Sequence, residues 1–308
     1  MPIVSGKNLV FCVNSQAQLT NCPMERIINQ EFGGERPLYN RHGLYLENVT
    51  IHKGESSIKE GSDIEAHHCR FEGKYVFWCC EDFLAADCLF TEGARSSLWH
   101  SRGMELRDCR QEAPKMFRES RDIKLRNVVM PHAQETFWAC DGIDIENVEA
   151  HEGDYIFMHC CNVKVRNLKL FGNYSFQHAK NVEIRDSDLQ SKDSLWETEN
   201  VTVYDSFING EYLGWHSRNL RLVRCRIGGT QPLCYADGLV LEDCTFEPDA
   251  DLALEYSDVQ ATIRGHVISI KNPRTGSIRV DSCGELIIDE NIKAPGDCVI
   301  EIGGERVR

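Results

Sequence analysis

The chain is poor in positive charge, has no long uncharged apolar run, and shows no paired cysteines at zinc-ribbon spacing. Each absence excludes something. With 34 Lys and Arg against 48 Asp and Glu, the net charge of −14 repels phosphate backbones and anionic lipid surfaces alike. Nucleic acid and membranes are therefore not expected as partners. No window approaches the roughly 20 apolar residues of a membrane-spanning helix. The opening Met1-Pro-Ile-Val-Ser-Gly-Lys7 lacks a basic segment followed by an apolar one, so no secretory signal is read and the expected location is the cytoplasm. The 15 cysteines are odd in number and spread out, and two pairs, Cys79-Cys80 and Cys160-Cys161, are adjacent. They read as reduced thiols serving as small apolar fillers.

What is present is a repeat. Asn48, His68, Asp87, Asp108, Asn127, Asn147, Asn167, Asp186, Asp205, Arg224 and Asp243 follow one another at intervals of 19 to 21 residues. The residues two and four places before each are apolar without exception, from Leu44 and Leu46 through Ile143 and Ile145 to Leu239 and Leu241. Intervening residues such as Asp144, Lys164 and Thr202 are polar, which is the period-two pattern of a strand. Asn and Asp suit a bend there because they tolerate left-handed φ. A second short strand follows each bend. A third begins after a variable loop with an apolar column, Phe77, Leu98, Phe117, Phe137, Phe157, Phe176, Leu195, Gly214, Leu233 and Ala253, and a small residue three places on. Three short strands per turn of about twenty residues predict an all-β, single-domain parallel β-helix. Its regular coils are expected over residues 38–259, with an N-terminal cap over 1–37 and irregular C-terminal coils and cap over 260–308.

Gly34-Glu-Arg-Pro-Leu-Tyr39, Gly172-Asn-Tyr174, Ser191-Lys-Asp193, Gly210-Glu-Tyr-Leu-Gly-Trp215 and Gln231-Pro-Leu-Cys-Tyr235 carry a resemblance. The sequence resembles domain-of-unknown-function family 3737, a bacterial family grouped with pectate-lyase-like β-helices. The resemblance implies a right-handed β-helix and no activity to carry over.

Candidate chemistry lies in two columns after the third-strand apolar position. The first holds all five tryptophans, Trp78, Trp99, Trp138, Trp196 and Trp215, together with Arg118. The second reads Asn40, Glu60, Cys79, His100, Glu119, Ala139, His159, His178, Glu197, His216, Tyr235 and Glu255. Strand alternation leaves the direction of the Trp column open, whereas burying so many ionisable groups in the second is prohibitive, so that column is expected outside. Trp faces at a strand spacing of about 4.8 Å could stack sugar rings, and Arg118 could pair with a uronate carboxylate. The alternative is plain packing.

His178, Glu197 and His216 occupy consecutive rungs, with His159 one rung before, and could grip a ligand, converge on a metal or act as acid and base. A solvated polar ladder is the alternative, and no cofactor or resident metal is assigned. Glu119 and Glu197 are four rungs, roughly 19 Å, apart, which disfavours glycoside hydrolysis within the ladder. Cys140-Asp-Gly-Ile-Asp-Ile145 looks like a polygalacturonase motif, but Asp-Gly is the repeat's ordinary turn, recurring at Asp237-Gly238, and the companion motifs are absent. The expected function is binding, with or without modification, of a carbohydrate or uronate-like ligand along the edge. Catalysis would rest on His178, Glu197, His216 and Glu119, and binding on His159, the tryptophans and Arg118. A non-catalytic scaffold or protein-interaction module is the alternative.

Overall fold

The computed structural model describes residues 24–289, 291–292 and 296–308. Fifteen strands stack in parallel from Glu25–Ile28 to Val299–Ile302, making about 14 turns of a β-solenoid. There is no helix among the described residues. The arrangement is consistent with a right-handed parallel β-helix. The apolar columns pair in register: Ile123 opposite Ile143 opposite Val163, and Leu125 opposite Ile145 opposite Val165. All six are buried. Because a strand in the middle of the stack bonds the coil before and the coil after, the backbone is satisfied without a second domain.

The Asn/Asp bends adopt left-handed φ throughout, from 51° at Asn48 to 56° at Asn147 and 53° at Asp243. Their side chains also bond from rung to rung, as Asn147 Nδ2 does to Asn127 Oδ1 at 3.0 Å and Asn167 Nδ2 to Asn147 Oδ1 at 2.8 Å. A second left-handed column opens each coil, with Asp63, Asp82, Gly103, Asp122, Gly142, Asn162, Asn181, Asn200, Asn219 and Gly238. The sequence reading recognised only its Asp-Gly members.

Glu25–Ile28 and Glu31–Glu35, inside the segment read as a cap, already pair in parallel with the following coil. Residues 1–23 of that segment lie outside the described residues. At the other end an antiparallel pairing of Val299–Ile302 with Glu305–Arg306 terminates the ladder. One register needs correction. In the coil after Leu233 the third-strand trio is Leu254, Glu255 and Tyr256, not Ala253, Leu254 and Glu255. Tyr235 N donates to Glu255 O, and Ser257 takes the small-residue position by accepting from Ala236 N. The preceding loop is one residue longer than spacing suggests.

The cysteines fill the core. Cys69, Cys88, Cys109, Cys225 and Cys244 are buried, and all thirteen cysteines among the described residues are free.

Candidate functional site

The His/Glu column sits on a corner. Its residues have left-handed φ: 56° at His100, 49° at Glu119, 56° at His159, 57° at His178, 52° at Glu197 and 55° at His216. This reversal breaks strand alternation, so the Phe column and the Ser/Cys/Ala column three places later both point inward. Left-handed φ is costly for such side chains. Rung-to-rung backbone bonds hold it, among them His178 N to Trp196 O at 3.0 Å and Glu197 N to Trp215 O at 2.9 Å. The corner throws the His/Glu side chains into solvent, and each tryptophan before it is half-buried.

The ladder carries specific contacts. His159 and His178 stack with ring centroids 4.7 Å apart. His178 Nδ1 lies 3.3 Å from Glu197 Oε2, and His100 Nδ1 lies 3.4 Å from Glu119 Oε2. His216 stacks on Tyr235 at 5.0 Å. Partial burial lowers the His159 pKa, and the neighbouring His178 charge lowers it further.

His178, Glu197 and His216 line one open groove of about 510 Å³. Its other wall is Lys180, Arg218 and Asp237, two residues further along each rung, which the sequence reading missed. The signal was there, since the column two places beyond His/Glu is charged in most coils. Lys180 Nζ and Arg218 Nη2 both reach Glu199 Oε2, at 3.1 and 3.4 Å. The Lys180 hydrogen bond holds the Glu199 carboxyl below its usual range. Asp237 pairs with Arg274.

Glu119 is not brought to this groove. With His100, Arg102, Arg121 and Asp141 it lines a second one of about 580 Å³.

The tryptophans flank the ladder outside the grooves, in two groups. Trp78 and Trp99 lie 5.6 Å apart, and Arg118 is sandwiched 4.8 Å from the Trp99 ring and 5.0 Å from Trp138. Trp196 and Trp215 form the other pair at 5.7 Å. Arg118 also pairs with Glu135 at 3.4 Å, while its buried Nε has no hydrogen-bond partner. Ser101 and Ser217, each beside a His in sequence, are buried, with Ser101 Oγ donating to Phe77 O at 2.6 Å. Neither can act as a nucleophile from there. Among the described residues there is no group of three or more His, Cys, Asp or Glu that could hold a metal ion.

The family model described as protein of unknown function (DUF3737) matches residues 25–301. The chain belongs to this family. No curated protein matches the sequence of this DUF3737 member. Among solved structures it is similar to full-length QnrB1, a plasmid-mediated fluoroquinolone resistance protein. The identity is 14%, coverage is 64% of this chain and 93% of that one, and the TM-score is 0.35. It is also similar to the A-module of the Azotobacter vinelandii mannuronan C-5 epimerase AlgE4, at 10% identity, 90% and 91% coverage and a TM-score of 0.30. HetL, a pentapeptide repeat protein of the cyanobacterium Nostoc sp. strain PCC 7120, is 10% identical over 78% and 91% of the two chains, with a TM-score of 0.21. At these scores the likenesses assign no activity to the family member described here.

No helix among the described residues is long and apolar enough to cross a membrane.

Proposed function

We propose that the protein binds a carbohydrate along the edge formed by the Trp and His/Glu columns. One observation carries this reading: His178, Glu197 and His216 line a single groove, while the Trp196 and Trp215 rings lie 6.2 and 6.3 Å from the His216 ring, the first tilted to it and the second edge-on. Half-exposed aromatic surface beside hydrogen-bonding groups of both kinds suits a sugar, whose CH faces stack and whose hydroxyls donate and accept. A neutral glycan fits better than a uronate. The cations of the groove are already matched by Glu199, Arg118 is paired with Glu135, and the chain carries net charge −14.

The second reading, a scaffold without a ligand, is favoured by the indole hydrogen bonds. Trp99 Nε1 donates to Lys115 O at 2.7 Å and Trp215 Nε1 to Gln231 O at 2.8 Å, which ties both rings into the loops.

A glycan array carrying neutral and acidic sugars separates the two. Saturable binding is expected, and His178→Ala and Glu197→Gln, which alter the groove beside His216, should weaken it while leaving stability within about 1 kcal/mol, as exposed sites do. No saturable binding to any sugar would leave the scaffold reading. A loss of several kcal/mol in both variants would make the ladder structural.

A further inference from the structure

We propose that this edge carries two equivalent binding stations, six rungs apart, that hold one extended glycan at two points. The inference rests on the carbohydrate reading above and goes beyond it by setting the number, spacing and geometry of the sites.

The sequence contains the pattern twice. Trp78-Cys-Cys-Glu81 is followed one coil later by Trp99-His-Ser-Arg102, and Trp196-Glu-Thr-Glu199 by Trp215-His-Ser-Arg218. In the structure the two copies repeat their aromatic and Arg–Glu contacts, although Cys79 stands in the first where Glu197 stands in the second. The Trp pairs are 5.6 and 5.7 Å apart, tilted by 46° and 51°. His100 lies 5.7 Å from the first Trp of its pair and 6.4 Å from the second, at 41° and 87°. For His216 the values are 6.2 and 6.3 Å, at 35° and 86°. The second indole of each pair donates to a loop carbonyl sixteen residues on, Lys115 O or Gln231 O. The arginine of each copy reaches back one rung to the glutamate, Arg102 to Glu81 at 2.9 Å and Arg218 to Glu199 at 3.4 Å. Each copy faces its own open groove, of about 580 and 510 Å³.

Packing alone does not require this. The four rungs between the copies carry Arg118, Trp138, Met158 and Gln177 in the Trp column, and the coils wind through them without a second Trp pair. What recurs is a whole constellation: two indoles, an exposed imidazole and a charge-matched Arg–Glu pair. Six rungs at about 4.8 Å put the stations roughly 29 Å apart, a distance the solenoid holds rigidly. The rungs beyond differ, Glu119 following one station and Tyr235 the other, so the equivalence belongs to the station itself. Two fixed sites on one edge convert the second contact of a long ligand into an intramolecular one.

The test titrates the protein with cello-oligosaccharides and oligogalacturonides of graded length, by calorimetry and tryptophan fluorescence. Short members of a binding series should occupy two sites per chain. Members able to span roughly 29 Å should bind one per chain, about a hundredfold tighter. His100→Ala or His216→Ala, both at exposed positions, should each leave one short-oligomer site and remove the gain with length. Arg102→Gln and Arg218→Gln should repeat the result without touching an aromatic contact. A single short-oligomer site in the unmodified protein, or one silent member of the pair of variants, overturns the duplication and leaves the carbohydrate reading standing. No saturable binding by either series overturns both.

Discussion

His159 and His178 lie face to face, with ring centroids 4.7 Å apart and planes 8° from parallel. Two imidazoles so placed cannot both be protonated cheaply. His159 is lowered from its ordinary value of 6.5, chiefly by partial burial and then by the His178 charge. The unfolded chain therefore binds a proton here at a higher pH than the folded one. The stabilisation is present above about pH 6.5 and is lost as pH falls through the lowered folded value. Melting temperature should drop between about pH 7.5 and about pH 5, and His159→Gln should shrink that drop. Equal drops in both proteins would mean the stacked pair does not couple to folding.

The thiols give a second prediction. Burial pushes Cys80 and Cys234 up to about 12 and Cys298 to about 11, far from the thiolate form. In native protein at about pH 8 the ten buried cysteines among the described residues should resist a thiol reagent, while half-buried Cys79, Cys161 and Cys283 react first. Denatured, unreduced protein should titrate all 15 thiols. A count well below that would reveal disulfides and undermine the expected reducing location.

Phe137 stands between Phe117 and Phe157, stacked at 4.5 and 4.7 Å and fully buried. Phe137→Ala leaves a cavity inside the continuous Phe column and should cost about 3–5 kcal/mol. Glu119→Ala, one coil back on the exposed corner, should change stability by no more than about 0.5 kcal/mol. Denaturant midpoints of the two variants make the comparison. Similar losses would contradict the division of this face into an inner and an outer column.

Gln111 interrupts an otherwise apolar inner column between Phe90 and Met130. Its side chain is fully buried, and neither amide atom has a hydrogen-bond partner. An unsatisfied amide costs about 1–3 kcal/mol, and Met has a closely similar volume. Gln111→Met should raise the denaturation midpoint. A lowered midpoint would show that the amide is satisfied in solution.

Sequence alone determined the coil. Hydrophobicity at Ile143, Ile145 and their equivalents, and the tolerance of left-handed φ at Asn127 or Asn147, are properties of single side chains. Repeated every 19 to 21 residues, they leave one economical winding of the chain. The second left-handed column is legible too, in Asp63, Asp122 and Asn181, because Asp and Asn tolerate that φ as Gly does.

The direction of the Trp column was decided by the tertiary structure. It depends on φ at the next residue, and Glu, Cys and Ala have no intrinsic preference for the left-handed value they adopt at Glu197, Cys79 and Ala139, a value His tolerates better at His178. Backbone bonds from neighbouring rungs impose it, so the corner is a collective property of the stack. The same stacking brings Lys180, Arg218 and Asp237 to the groove and leaves Glu119 to another. It also shifts the last trio to Leu254, Glu255 and Tyr256, because loop length is set by where the next coil must land. Period and polarity are local, but orientation at a corner is settled only when the coils above and below are in place.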